Sequence, residues 1–169
     1  PLPVPVPHPV KREHHLTDLV FPQDGAYRGA FGVYRRIVAA RCKDPEILAR
    51  AFNICGQIYR AVGDHDNARK YVRKSYELLK RVGDKAKKRD LVQTYQGLAS
   101  VYLDEGLPET AAKCLDRALA AAREIGDRAE VARILIALGR AQLRRSDYDA
   151  ALRAFQEALE LANKSGYRE

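Results

Sequence analysis

At 169 residues, with 46% apolar and 31% charged side chains, the chain is long enough for one domain with a moderate core. Its formal net charge of +8 favours anionic partners, whether acidic protein, nucleic acid or a membrane surface. No apolar run approaches the length of a membrane span, so these 169 residues are not expected to contain a membrane-crossing helix. Many Ala, Leu, Arg and Glu residues and few β-branched ones favour helix throughout. The first residue is Pro rather than Met, so the sequence reads as a fragment or a processed chain, and no charged-then-apolar leader opens it.

From the N-terminus, Pro1 to Pro9 alternates Pro with Leu, Val and His, a composition that biases the backbone to an extended, polyproline-like strand. Residues 1–22 thus read as an extended N-terminal segment. Pro1 to Pro9 is expected to lack a core of its own and to serve as a linker or a ligand-like segment. Lys11 to Pro22 is a basic-to-apolar transition in which Leu16, Leu19, Val20 and Phe21 can form a short packed turn. The next segment, 23–43, carries Ala26, Ala30, Val33, Ile37 and Val38 at three- and four-residue spacing, the signature of a helix with one apolar face. Its exit, Lys43-Asp44-Pro45, lies in the same register to Phe52 as Gly126-Asp127-Arg128 does to Leu135. It reads as the second helix of a degenerate repeat.

Three repeat units follow, at 44–84, 85–127 and 128–169. Phe52-Asn-Ile-Cys55-Gly56-Gln-Ile-Tyr59 aligns with Tyr95-Gln-Gly-Leu98-Ala99-Ser-Val-Tyr102 and Leu135-Ile-Ala-Leu138-Gly139-Arg-Ala-Gln142. Each has a large apolar residue followed by an apolar residue, a Gly or Ala, and usually a Tyr. A second block repeats as Ala68, Val72, Ser75, then Ala111, Leu115, Ala118, then Ala151, Phe155, Ala158. Both blocks recur at intervals of 43 and 40 residues, a period that identifies a solenoid of helical hairpins. Two helices approach closely only where one contributes a hydrogen or a methyl group, so Gly56 is expected to face the neighbourhood of Ala68. Gly63, Gly106 and Ser146 fall in the tight turn inside each hairpin, and Pro45 and Pro108 at helix starts, where a missing N–H costs nothing.

These residues closely resemble the tetratricopeptide repeat family, whose signature runs aromatic, Leu-Gly, Tyr, then Ala, Phe, Ala. The resemblance covers about Asp44 to Gly166 and implies an all-α, right-handed solenoid. The second helix runs past the family's usual period of about 34 residues. Its endings, Arg81-Val82-Gly83-Asp84 and Glu124-Ile125-Gly126-Asp127, are similar to those of Leu-Gly-Asn-type polarity scaffolds and kinesin light chains.

Residues for chemistry are sparse. His8, His14, His15 and His65 are scattered, and no His-Glu-x-x-His, Gly-rich phosphate loop or Gly-x-Ser-x-Gly occurs. Cys42, Cys55 and Cys114 match neither a metal knuckle nor a disulfide framework. They read as small core hydrophobes in a reducing compartment, the cytoplasm or the nucleus. The expectation is a non-enzyme without catalytic residues, metal, cofactor or small-molecule substrate.

The family resemblance implies that the first helix of each hairpin lines a concave, partner-binding surface. Positions there outside the packing signature are Arg50, Asn53, Gln57 and Arg60, then Gln93, Gln96, Ser100 and Asp104, then Arg133, Ile136, Arg140 and Arg144. Amides hold a peptide backbone and Arg forks bind carboxylates bidentately, so the expected partner is an extended, acidic protein segment. A known variant of such grooves clamps chaperone C-termini. Asn53 and Gln57 stand where that clamp has Lys and Asn, which argues against a chaperone-tail receptor, while Arg133 remains able to hold a carboxylate.

Two rival readings stay open. Lys85, Lys87, Lys88 and Arg89, with the tyrosines Tyr27, Tyr34, Tyr59, Tyr71, Tyr76, Tyr95 and Tyr102, carry the chemistry of a nucleic acid or polyanion binder. The basic run also reads as a nuclear address or as a solvated turn, and the tyrosines as core. The last helix shows apolar residues with no polar cap after it, which predicts either further repeats or self-association through that end.

Overall fold

The computed structural model describes residues 44–83 and 86–166. The Pro-rich segment, the expected helix of 23–43, Cys42, Tyr27, Tyr34, Lys85 and three of the histidines lie outside the described residues. Within them the chain is six helices without a strand: α1 Pro45–Ala61, α2 His65–Val82, α3 Lys88–Asp104, α4 Pro108–Ile125, α5 Arg128–Arg144 and α6 Tyr148–Gly166.

Local chemistry sets the helix ends. Asp44 begins α1 by accepting from the Glu46 and Ile47 amides at 2.9 and 3.3 Å, with Pro45 in the first turn. Asp64, Asp127 and Asp147 do the same at α2, α5 and α6, accepting from Asn67, Glu130 and Ala150 at 3.0, 3.0 and 3.2 Å. Each carboxylate satisfies an amide that the first helical turn leaves without a partner and lies at the positive end of the helix dipole. The turn inside each hairpin needs a left-handed residue: Gly63 has φ 81°, Gly106 73° and Ser146 59°. Only the third hairpin makes that turn with a side chain, at some conformational cost.

The helices pair as antiparallel hairpins α1–α2, α3–α4 and α5–α6. Successive hairpins stack through α2 on α3 and α4 on α5, forming an all-α repeat superhelix. The first two also meet directly through α1 and α3, whereas α5 reaches the second hairpin mainly through α4. Small residues permit the close crossings. A Cβ on Gly56 would overlap the Val72 side chain and sit 3.2 Å from the Ala68 carbonyl oxygen. On Gly139 it would lie 2.6 Å from the Phe155 ring. Around these contacts the core buries Val72, Leu115, Ile134 and Leu135, and Tyr59 stacks on Tyr71 with ring centroids 5.3 Å apart. One buried polar contact crosses from α2 to α3, where the Ser75 and Thr94 hydroxyls lie 2.9 Å apart.

Candidate peptide-binding groove

The first helices α1, α3 and α5 share one side of the stack, and a cleft of about 270 Å³ runs between them. Gln57 and Arg60 from α1 and Gln96 and Ser100 from α3 border it, with Ala137 of α5 at its far edge. The floor includes Gly56 and Gly97. The Ser100 hydroxyl donates to the Gln96 carbonyl at 3.0 Å, which fixes its direction on the helix. A second cleft of about 190 Å³ brings together Gln93, Arg133 and Arg89 beside Asp127 and Glu130.

The cations of this side are largely engaged within the fold. Arg50 Nε lies 3.1 Å from Asp90 Oδ1, and Arg60 lies 3.7 Å from Asp104 Oδ2. His65 Nδ1 also approaches that Asp104 oxygen, at 3.8 Å. Arg133 pairs with Glu130, three residues before it, and Arg144 donates to the Leu103 carbonyl. Arg140 is exposed on α5, as is Ile136 at 47%.

Asp90 is itself only 5% exposed. Burial pushes its carboxyl above the usual carboxylate range, with Arg50 acting in the opposite direction. The Arg50 and Arg60 pairs therefore staple α1 to α3 at both ends of their seam. A partner's carboxylates would have to compete with those pairs. Sequence reasoning missed this role, yet the signal was present: Arg50 precedes Asp90 by 40 residues and Arg60 precedes Asp104 by 44. Opposite charges about one repeat apart face each other across neighbouring first helices.

Asn53 departs from its expected place on the open surface. It is 2% exposed, tucked under α3 where Gly97 leaves room; a Cβ on Gly97 would stand 2.6 Å from Asn53 Oδ1. A polar residue at a groove spacing was pulled inward because the facing residue has no side chain. The cysteines are packed away from this side, Cys55 completely buried and Cys114 half-buried. Burial drives the Cys55 thiol up to about 12, which suits an inert core residue. Among the described residues no three His, Cys, Asp or Glu side chains gather as a metal site, and no helix is long and apolar enough to cross a membrane.

Two family models, both described as Tetratricopeptide repeat, match residues 49–78 and 90–164. The chain belongs to the tetratricopeptide repeat family. Solved tetratricopeptide-like structures agree in fold. BtubC (BKLC) from P. vanneervenii superposes with a TM-score of 0.71 at 18% identity, over 82% of this chain and 57% of that one. Aspartyl phosphate phosphatase F from Bacillus subtilis gives 0.70 at 22% identity, over 83% and 37%. A signal transduction ATPase with numerous domains and a tetratricopeptide repeat sensor, from Pyrococcus horikoshii, gives 0.74 at 19% identity, over 85% and 22%. The chain thus spans between about a fifth and three fifths of these solved chains. No curated protein matches it. Tetratricopeptide repeats are in general non-catalytic interaction scaffolds.

Proposed function

We propose that this tetratricopeptide repeat chain is an adaptor that holds an extended, acidic segment of a partner protein along the side lined by α1, α3 and α5. The observation that carries the reading is the convergence of Gln57, Arg60, Gln96 and Ser100 on one cleft, with Ala137 at its far edge. Arg140 follows Ala137 by about one helical turn along α5. The amides hold the peptide backbone and the exposed Arg140 guanidinium anchors a carboxylate. Gln93 and Arg133 extend the track through the second cleft. Arg50 and Asn53 act beneath it, as a staple and a filler.

The test is a pull-down from cell lysate at low and high salt, comparing the intact chain with Arg133→Glu/Arg140→Glu and reading the captured proteins by mass spectrometry. Proteins captured by the intact chain and lost in the double variant, at unchanged helical content and melting, support the groove. Equal capture by both defeats it. Recovery of nucleic acid that washes off with salt would favour the polyanion reading instead, although Lys87 and Lys88 already pair with Glu46 and Glu124 within the fold.

Self-association has an observation of its own. Tyr148, Leu152 and Leu159 on α6 are 66%, 57% and 61% exposed, and they recur along the helix at spacings that leave an apolar stripe. A molecular mass that rises with concentration, and returns to the monomer value in Leu152→Asp/Leu159→Asp, would support that reading.

A further inference from the structure

A third cleft lies on another face of α3, turned away from the first-helix groove. Its volume is about 420 Å³. α2 and α4 form its walls and α3 its floor, and three tyrosines and three cations converge on it: Tyr76, Tyr95, Tyr102, Arg73, Lys113 and Arg117. The tyrosines are half-buried. Tyr76 and Tyr95 have ring centroids 5.9 Å apart with planes inclined at 53°, and the Arg117 guanidinium lies 5.9 Å from the Tyr95 ring centroid. Lys113 is 72% exposed and makes its ion pair with Glu109, four residues away on the same helix, a surface pair that holds the lysine only weakly. Glu77 is the single carboxylate among the lining residues.

The repeat supplies its own control. Moving by the internal period to the next junction, between α4, α5 and α6, Tyr76 becomes Leu119, Tyr95 becomes Leu135 and Tyr102 becomes Gln142. Arg73 becomes Asp116 and Arg117 becomes Glu157, while Lys113 becomes Arg153. Leu119 and Leu135 are buried at 7% and 2%, so leucine fulfils the stacking requirement at those positions. The aromatic rings and the surplus positive charge of the first junction are therefore not demanded by repeat packing. They create a basic-rimmed, aromatic-floored cleft where the next junction has aliphatic packing and mixed charge.

We propose that this cleft is a second docking surface, which takes an acidic peptide segment whose aromatic side chain enters among Tyr76, Tyr95 and Tyr102 while flanking carboxylates meet Arg73, Lys113 and Arg117. Tilted rings receive another ring edge-on, and guanidinium and ammonium groups at the rim match carboxylates. Single-stranded nucleic acid fits less well. Its bases stack on open ring faces, whereas Arg117 lies on the Tyr95 side of the cleft, 5.9 Å from the ring centroid, and the Tyr76 ring is inclined to Tyr95 at 53°. The inference does not depend on the α1–α3–α5 groove.

The test is fluorescence anisotropy on the full chain with a labelled peptide of Glu and Asp around a central Phe, its Phe→Ala counterpart and a labelled oligothymidylate. The Phe-dependent part of binding reports the cleft. Converting the junction to its neighbour's residues, as Arg73→Asp/Arg117→Glu and as Tyr76→Leu/Tyr95→Leu, should weaken that part about tenfold or more, the equivalent of losing one or two good charge or ring contacts. Lys113→Glu, at a solvent-exposed position that cannot unfold the chain, should weaken it in the same direction. Thermal melting of each variant separates loss of binding from loss of fold. Absence of Phe-dependent binding by the intact chain overturns the proposal. So does Phe-dependent binding that survives all three variants, including the case in which only Arg140→Glu removes it. Oligothymidylate binding that displaces the peptide and is lost in Tyr76→Leu/Tyr95→Leu would assign the cleft to nucleic acid and overturn the proposal equally.

Discussion

At the scale of single residues, the same side chain does different work according to what faces it. Arg50 and Arg140 both sit on first helices, yet Arg50 lies 3.1 Å from the buried Asp90 while Arg140 is exposed to solvent. Removing Arg50 should therefore harm folding more than binding. Arg50→Ala is expected to cost about 1–2 kcal/mol at neutral pH, below the range for breaking a fully buried pair because Arg50 is itself part-exposed. The sign with pH follows from Asp90, whose folded carboxyl is raised by burial. Without Arg50 it rises further, so the penalty grows as pH climbs through that folded value and the carboxylate must ionise. At pH values low enough to protonate Asp90 the penalty shrinks. Urea melts of the intact chain and the variant across this range check it; a loss that is equal at both ends, or larger in acid, contradicts the staple. Asn53 teaches the complementary lesson, since helical spacing alone assigned it to the surface and Gly97 opposite drew it inside.

At the scale of elements, hairpin geometry rests on a few small residues. Gly56→Ala gains about 1 kcal/mol of helix propensity, but its methyl would meet Val72 and the Ala68 carbonyl. Overpacking costs typically about 1–3 kcal/mol, so the net effect is expected to be destabilising and visible as a lowered melting temperature. A neutral or raised melting temperature would show that the α1–α2 crossing relaxes freely. The periodic alignment of Gly56, Ala99 and Gly139 was legible in the sequence because a fixed crossing imposes the same steric requirement in every repeat. The atom that each meets was not legible: Gly56 faces Val72 and Ala68, and Gly139 faces the Phe155 ring. The helix starts at Pro45 and Pro108 were readable from the chain alone, since a first-turn proline needs no partner, whereas the caps of Asp44, Asp64, Asp127 and Asp147 came from the structure. α3 and α4 begin at Lys87 and Leu107 without a side-chain cap, and there only the packed neighbours hold the end.

At the scale of the whole molecule, a stack of hairpins distributes stability unevenly, because each repeat is held by its neighbours. α4 and α5 are covered on both sides, with Leu115, Ala118, Ile134 and Leu135 all buried. α6 offers Leu152 and Leu159 to solvent. Native-state hydrogen exchange is therefore expected to be slowest in α4 and α5 and fastest in α6 among these three helices. Equal protection across them would indicate that something covers the α6 face in solution.

The sequence by itself determined the class of molecule: an all-helical tetratricopeptide repeat, its small-residue register and an absence of recognisable catalytic motifs. Those properties repeat along the chain or arise between near neighbours, so one strand of letters contains both halves of each contact. Only the tertiary structure decided which polar side chains remain available. Arg60 turned toward Asp104, Arg144 toward the Leu103 carbonyl, Asn53 inward, and Tyr76, Tyr95 and Tyr102 toward one cleft. Each of those outcomes depends on a residue from another helix, brought near by the stacking of hairpins.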